Sequence, residues 1–312
     1  MIYFPTKTLL PNYRELPSLY NCYKSFKGRD VYSSYVYWIL KNNGIQNIEL
    51  VRDLSNTRAS DAIFFHFDNL DAFNFNTPAK KIQFVSDKPL IGGCNLYLTA
   101  DLTACTGYSG NINPSLIVEK KYSVELLYFP EPLPVGLKKT TVCFPPKVAT
   151  CMGLYENIDK DLLYLIEQKE AFIKKYCNTK KKVDMISNIE FRLNCTANNN
   201  KGDEDIFFFI RNKEIGYNYA GYKHPNRLFM SFYCNIPGFY NKEPALCAVG
   251  TPSKDFIEID GAYDFVEKLV NYSTSEQYFL DILQNIKSRE NENDEQSIVS
   301  RFVDITQRLG IS

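Results

Sequence analysis

Residues 221–246, GYKHPNRLFMSFYCNIPGFYNKEPAL, bring two cations, a helix start and a carboxylate together within a short span. Pro225, directly after His224, predicts a helix opening there, because proline is preorganised for the first helical position. Lys223, Asn226 and Arg227 sit at that start, where free backbone N–H groups and the helix dipole favour an anion. Leu228, Phe229, Phe232 and Tyr233 recur at helical spacing and supply a buried face. Asn235 follows, a residue that tolerates the left-handed conformation of a helix stop. Residues 236–240 then run to Glu243-Pro244, a second helix start that carries a carboxylate. Two cations can neutralise a diphosphate, and an arginine can grip it with two hydrogen bonds. The Glu243 oxygens can accept from ribose hydroxyls, so the whole arrangement suits a nucleotide. The plainer alternative is a solvated helix start with ordinary surface charges, and a Glu243 that caps its helix.

The elements around this stretch read as a parallel-sheet domain. The apolar run 206–210 is a strand buried on both faces, and Arg211 follows it at the strand end. Residues 148–153 read as an earlier strand, 162–176 as one amphipathic helix, and 256–259 as a later strand. Helices follow over 262–271, 275–288 and 295–309. In the first half, a helix over 30–43 stops at Gly44, and strands are expected at 48–51, 62–67, 81–85 and 97–99. His66, Asp68 and Asp87 fall at the ends of two of these strands. The prolines at 130, 132, 134, 145 and 146 mark a linker.

Arg211, Lys223, Arg227-Leu228, Asn235-Ile236-Pro237 and Glu243 together resemble the donor-binding region of GT-B-fold glycosyltransferases. In one branch of that family a strand ending in Arg is followed by Lys-Pro-x-x-Lys/Arg-Leu, a small-residue helix, Gly-x-Pro and Glu-x-x-Tyr. The resemblance covers residues 205–246 and departs at three points. His224 separates Lys223 from Pro225, Asn235 replaces a glycine, and Tyr222 and Met230 stand where many retaining members carry glutamates.

The resemblance implies an α/β fold of two Rossmann-like parallel-sheet domains facing across a cleft. Residues 1–142 would form the acceptor-side domain and 143–294 the donor domain, with helix 295–309 packing back on the first. It implies a nucleotide-sugar donor bound by Arg211, Lys223, Asn226, Arg227 and Glu243, without cofactor or essential metal. The acceptor would be a glycan or lipid-linked hydroxyl, as in polysaccharide biosynthesis. An inverting transfer needs a base for the acceptor proton, and His66, Asp68 or Asp87 can serve. A nucleotide-sugar epimerase and a non-catalytic binding protein on the same fold are the alternatives.

Composition narrows the classes. The chain has 312 residues, 45% hydrophobic and 23% charged, which suits two folded domains. With 36 basic and 36 acidic residues it lacks the basic excess of a nucleic-acid-binding face. Nine scattered cysteines form no CxxC pair and two histidines offer no ligand spacing, so reduced thiols and no metal site are expected. No leader or apolar run of membrane-spanning length is visible, which predicts a cytoplasmic protein with at most peripheral membrane contact. No Gly-x-Gly-x-x-Gly, Walker loop or Gly-x-Ser-x-Gly elbow is present, which argues against dinucleotide oxidoreductases, ATPases and triad hydrolases.

Overall fold

The computed structural model describes all residues except 8–30, 67–72, 86–91, 101–125, 131, 134–136, 154, 195–200, 213–224 and 312. The chain divides into two compact units. Unit 1 comprises Met1–Pro132 and Asn293–Ser312, and unit 2 comprises Leu133–Ala220 and Pro225–Glu292.

Unit 1 is built on a parallel sheet of β1 (Ile2–Pro5), β2 (Ile48–Val51), β3 (Ala62–His66), β4 (Lys80–Val85), β5 (Leu96–Thr99) and β6 (Leu126–Tyr128). The spatial order is β2-β1-β3-β4-β5-β6. All residues of β3, AIFFH, are buried, as a strand covered on both faces must be. Phe4, Phe64 and Phe129 form one aromatic layer, with ring centroids 5.2 and 5.4 Å apart. Each such ring contributes about 1.5–3 kcal/mol on burial. Helix α1 (Val36–Asn42) follows a π turn over Val31–Tyr35, and Gly44 in the left-handed region (φ 85°) lets the chain turn away.

Unit 2 carries β7 (Val148–Met152), β8 (Glu190–Asn194), β9 (Ile206–Phe209), β10 (Gly238–Tyr240) and β11 (Ile257–Glu258). They are parallel, in the order β11-β10-β9-β7-β8. Its helices are α2 (Lys160–Glu167), α3 (Lys169–Tyr176), α4 (Lys180–Asn188), α5 (Asn226–Cys234), α6 (Pro244–Val249), α7 (Ala262–Thr274) and α8 (Glu276–Lys287). Asp205, just before β9, accepts backbone N–H bonds from Cys143, Lys147 and Val148 and so fixes where β7 begins. The last helix, α9 (Glu295–Arg308), belongs to unit 1. Its Phe302 lies 6.0 Å from Phe4 and 6.5 Å from Phe64, and Lys80 Nζ donates to the Leu309 carbonyl at 2.6 Å.

Three expectations are corrected. The single helix expected at 162–176 is two, because Gln168 (φ −137°, ψ 56°) leaves helical geometry between α2 and α3. Asp159 caps the first piece, accepting from the Asp161 and Leu162 N–H groups. Helix α4 and strand β8 were not anticipated. Thr179 caps α4 through the Lys182 N–H, and β8 is an edge strand of intermediate burial. Pro225 stands one position outside α5, as its N-cap. The Pro225 carbonyl accepts from the Leu228 and Phe229 N–H groups.

Candidate functional site

In both sheets the first strand lies between the second and the third. The connections that follow the first and the third strands therefore run in opposite directions, and the gap between these two strands is the topological switch point. Open α/β sheets bind ligands at that gap, outside the carboxyl ends of the strands. In unit 2 the gap lies between β7, which ends at Met152-Gly153, and β9, which ends at Phe209 and is followed by Arg211.

Arg211 is buried rather than solvated. The segment after β9 is pinned by a bridge between Arg211 and Ile158 and by the Asn212 N–H on the Asn157 carbonyl. The Arg211 N–H also donates to Asn241 Oδ1 at 3.2 Å. Its side chain forms a forked pair with Glu243: Nε donates to Oε1 at 2.9 Å and Nη2 to Oε2 at 3.2 Å. Arg211 is 9% and Glu243 8% exposed, so the two charges compensate each other out of water. Glu243 stands at the N-cap of α6, yet its side chain makes no capping bond there. Its oxygens face Arg211 and keep lone pairs for a further donor.

Arg227 enters the same strand ends from the first turn of α5. Nε donates to the Met152 carbonyl at 2.9 Å, and the guanidinium lies over the Phe209 ring, its carbon 3.5 Å from the centroid. The terminal nitrogens Nη1 and Nη2 make no hydrogen bond or ion pair among the described residues. Desolvation pulls the Arg227 guanidinium down to about 10, with Glu243 acting against that fall, so it stays cationic at neutral pH. Asn226, beside it, has a buried Oδ1 with no hydrogen-bond partner. Tyr240 holds the helix start from below, its hydroxyl donating to the Arg227 carbonyl at 3.1 Å and pairing with Ser231 Oγ at 2.7 Å.

The site thus brings together Arg211, Asn226, Arg227 and Glu243. Lys223 lies outside the described residues, as do Asp68 and Asp87 and the Tyr222 of the resemblance. His66 ends β3 in unit 1 and is 2% exposed, at that unit's own switch point, where Thr6 follows β1. Met230 is a core residue, 3% exposed. Sequence reading missed Phe209, Gly153, Tyr240 and Ser231. A signal for Gly153 was present: a glycine closing an apolar strand marks close backbone approach. A Cβ there would stand 2.4 Å from a Phe209 ring carbon.

No group of three or more His, Cys, Asp or Glu residues able to hold a metal occurs among the described residues. Among them also, no helix is long and apolar enough to cross a membrane.

No family description matches the sequence, and no curated protein sequence does. Solved structures do match in shape. Anabaena Alr3699/HepE in complex with UDP and glucose superposes at a TM-score of 0.51 and 8% identity, covering 98% of this chain and 99% of that one. The pneumococcal O-GlcNAc transferase GtfA in complex with UDP and GlcNAc gives 0.50 and 7%, covering 82% of this chain and 58% of that one. The chain therefore spans less than two thirds of GtfA. The likeness is one of fold: two parallel α/β sheets with the architecture of GT-B glycosyltransferases.

Proposed function

We propose that this protein is a glycosyltransferase that takes its sugar from a nucleotide-sugar. The observation that carries the reading is Arg227, a half-buried cation at a switch point whose terminal nitrogens have no carboxylate of their own among the described residues. A buried charge in that state is complementary to an anionic ligand. The donor diphosphate binds Arg227 and the start of α5, with Lys223 and Asn226 adding contacts, and the ribose hydroxyls reach Glu243. In the transfer, the bond from the anomeric carbon to the diphosphate oxygen breaks and a bond to the acceptor oxygen forms. Arg227 stabilises the charge developing on the leaving nucleoside diphosphate. The acceptor hydroxyl, on a glycan or lipid-linked sugar, gives its proton to a base for which His66, Asp68 and Asp87 are the candidates. Residues 1–142 would serve the acceptor and 143–294 the donor. Two neighbours of the same fold whose structures hold UDP with a sugar support this reading.

The test is thermal shift with UDP, GDP, ADP and dTDP, each against its nucleoside, because a ligand stabilises the folded state by RT ln(1 + [L]/Kd). Arg227→Ala should weaken the preferred diphosphate roughly tenfold to hundredfold and leave the nucleoside unchanged, as loss of a charge-assisted hydrogen bond predicts. Equal weakening of both ligands, or no binding by the unsubstituted protein, removes the assignment.

A further inference from the structure

The Arg227 side chain is held by two contacts of different kinds. One is the Nε–H bond to the Met152 carbonyl, which leaves rotation about that bond free. The other is the Phe209 ring face at 3.5 Å, which does not. A planar guanidinium stacks on an aromatic face, and the attraction grows when the pair is out of water. Phe209 is 1% exposed and Arg227 is half-buried, so the ring side of this stack is out of water. The ring reaches its place because residue 153 is glycine: a Cβ would overlap ring carbons at 2.4 and 2.8 Å. Gly153 directly follows β7, and Phe209 closes β9, so the ring is wedged at the switch point itself.

We propose that Phe209 is a positioning residue: its ring fixes the plane of the Arg227 guanidinium so that Nη1 and Nη2 face a phosphate at the β7–β9 strand ends, and Gly153 makes room for the ring. The inference rests on the donor-site reading above. Without the ring, Arg227 keeps its charge and its Met152 bond but loses the fixed direction of its four remaining N–H donors. Nucleoside binding, which does not use those donors, is untouched.

The experiment is a double-mutant cycle read by calorimetric titration. Its probes are the nucleoside diphosphate of largest shift in the panel above and the corresponding nucleoside. Phe209→Leu should weaken the diphosphate about fivefold to thirtyfold, the range of a desolvated cation–π contact, and leave the nucleoside unchanged. In the Arg227→Ala background the same substitution should change diphosphate affinity by no more than about twofold, because the guanidinium that the ring orients is gone and Arg211, 5.6 Å from the ring centroid, is held by Glu243 instead. Gly153→Ala, which displaces the ring without altering either partner, should reproduce the selective loss. Circular dichroism checks each variant, and Phe209→Met, close in volume but without a ring face, replaces Phe209→Leu if that variant fails to fold. Equal loss of both ligands, no loss, or a full loss retained in the Arg227→Ala background overturns the proposal. An unsubstituted protein that binds no nucleotide instead overturns the reading on which it rests.

Discussion

The two units share a strand order, with the first strand between the second and the third, but their switch points hold different chemistry. In unit 2 the strand ends carry two guanidiniums and a carboxylate. In unit 1 the described strand ends carry Thr6, His66 and Thr99, with Ser34 Oγ donating to Thr6 Oγ1 at 3.2 Å, all buried. No buried carboxylate, lysine or arginine stands among the described residues at that edge. One topology thus carries different described side chains at its two sets of strand ends.

The comparison breaks first, and most visibly, in rate. On the proposed reading, His66→Ala lowers turnover by about 10²–10⁴, the usual worth of a general base, and leaves the nucleotide Kd unchanged. Steady-state kinetics beside titration separates the two, and unchanged turnover removes His66 from the chemistry. The next effect is on stability and belongs to unit 2. Glu243→Ala leaves Arg211 as an uncompensated buried charge and should cost about 3–5 kcal/mol in urea unfolding. The paired replacement Arg211→Met with Glu243→Met should cost clearly less, and an equally damaging double variant would show that packing, not charge, governs the site. A smaller loss is expected from Tyr240→Phe, which removes the hydroxyl bonded to Ser231 and the Arg227 carbonyl. That is about 1–3 kcal/mol, the cost of leaving a buried hydroxyl unmatched, seen as a lower midpoint with unchanged slope.

The smallest effect is a pH window in unit 2. Lys182 on α4 pairs with Glu267 on α7. The bond to Lys182 lowers the Glu267 carboxyl from 4.5, and the bond to Glu267 raises the Lys182 ammonium from 10.5. A depressed carboxyl contributes stability above its unfolded value and loses it as pH falls through the folded one. A raised ammonium contributes below its unfolded value and loses it as pH rises through the folded one. The destabilisation caused by Glu267→Gln should therefore be flat between about pH 5 and 10 and shrink on either side. A difference that stays constant below about pH 5 and above about pH 10 as well would show that the pair contributes nothing by charge.

Much of unit 2's site was legible because its signals are local. The α5 start, its apolar face and the Asn235 stop each depend on a few neighbouring residues, and Asn235 indeed adopts the left-handed conformation at φ 59°. The break at Gln168 was hidden because Leu162, Leu163, Leu165 and Phe172 pack into one core, so the apolar pattern continues across two helices. Helix α4 buries only Lys182 and Ile186, too little for a periodic signal. The Arg211–Glu243 pair joins residues 32 apart in the chain, and the Phe209–Gly153 contact exists only once β7 and β9 are side by side. Neither follows from local pattern.

Helix α9 has a consequence for the order in which this protein becomes itself. Phe4 and Phe64 are made before unit 2, but the ring that covers them, Phe302, is made after it. A ribosome must synthesise all of unit 2 in between, so the unit translated first is the one whose core closes second. Until then its strands present uncovered aromatic rings, the kind of surface that aggregates or recruits chaperones. The same dependence should survive in the finished molecule. In native-state hydrogen exchange, the amides of β1 and β3 should open together with those of α9. An α9 that exchanges freely while β1 and β3 stay protected would show that the late segment is an addition rather than the completion of the core.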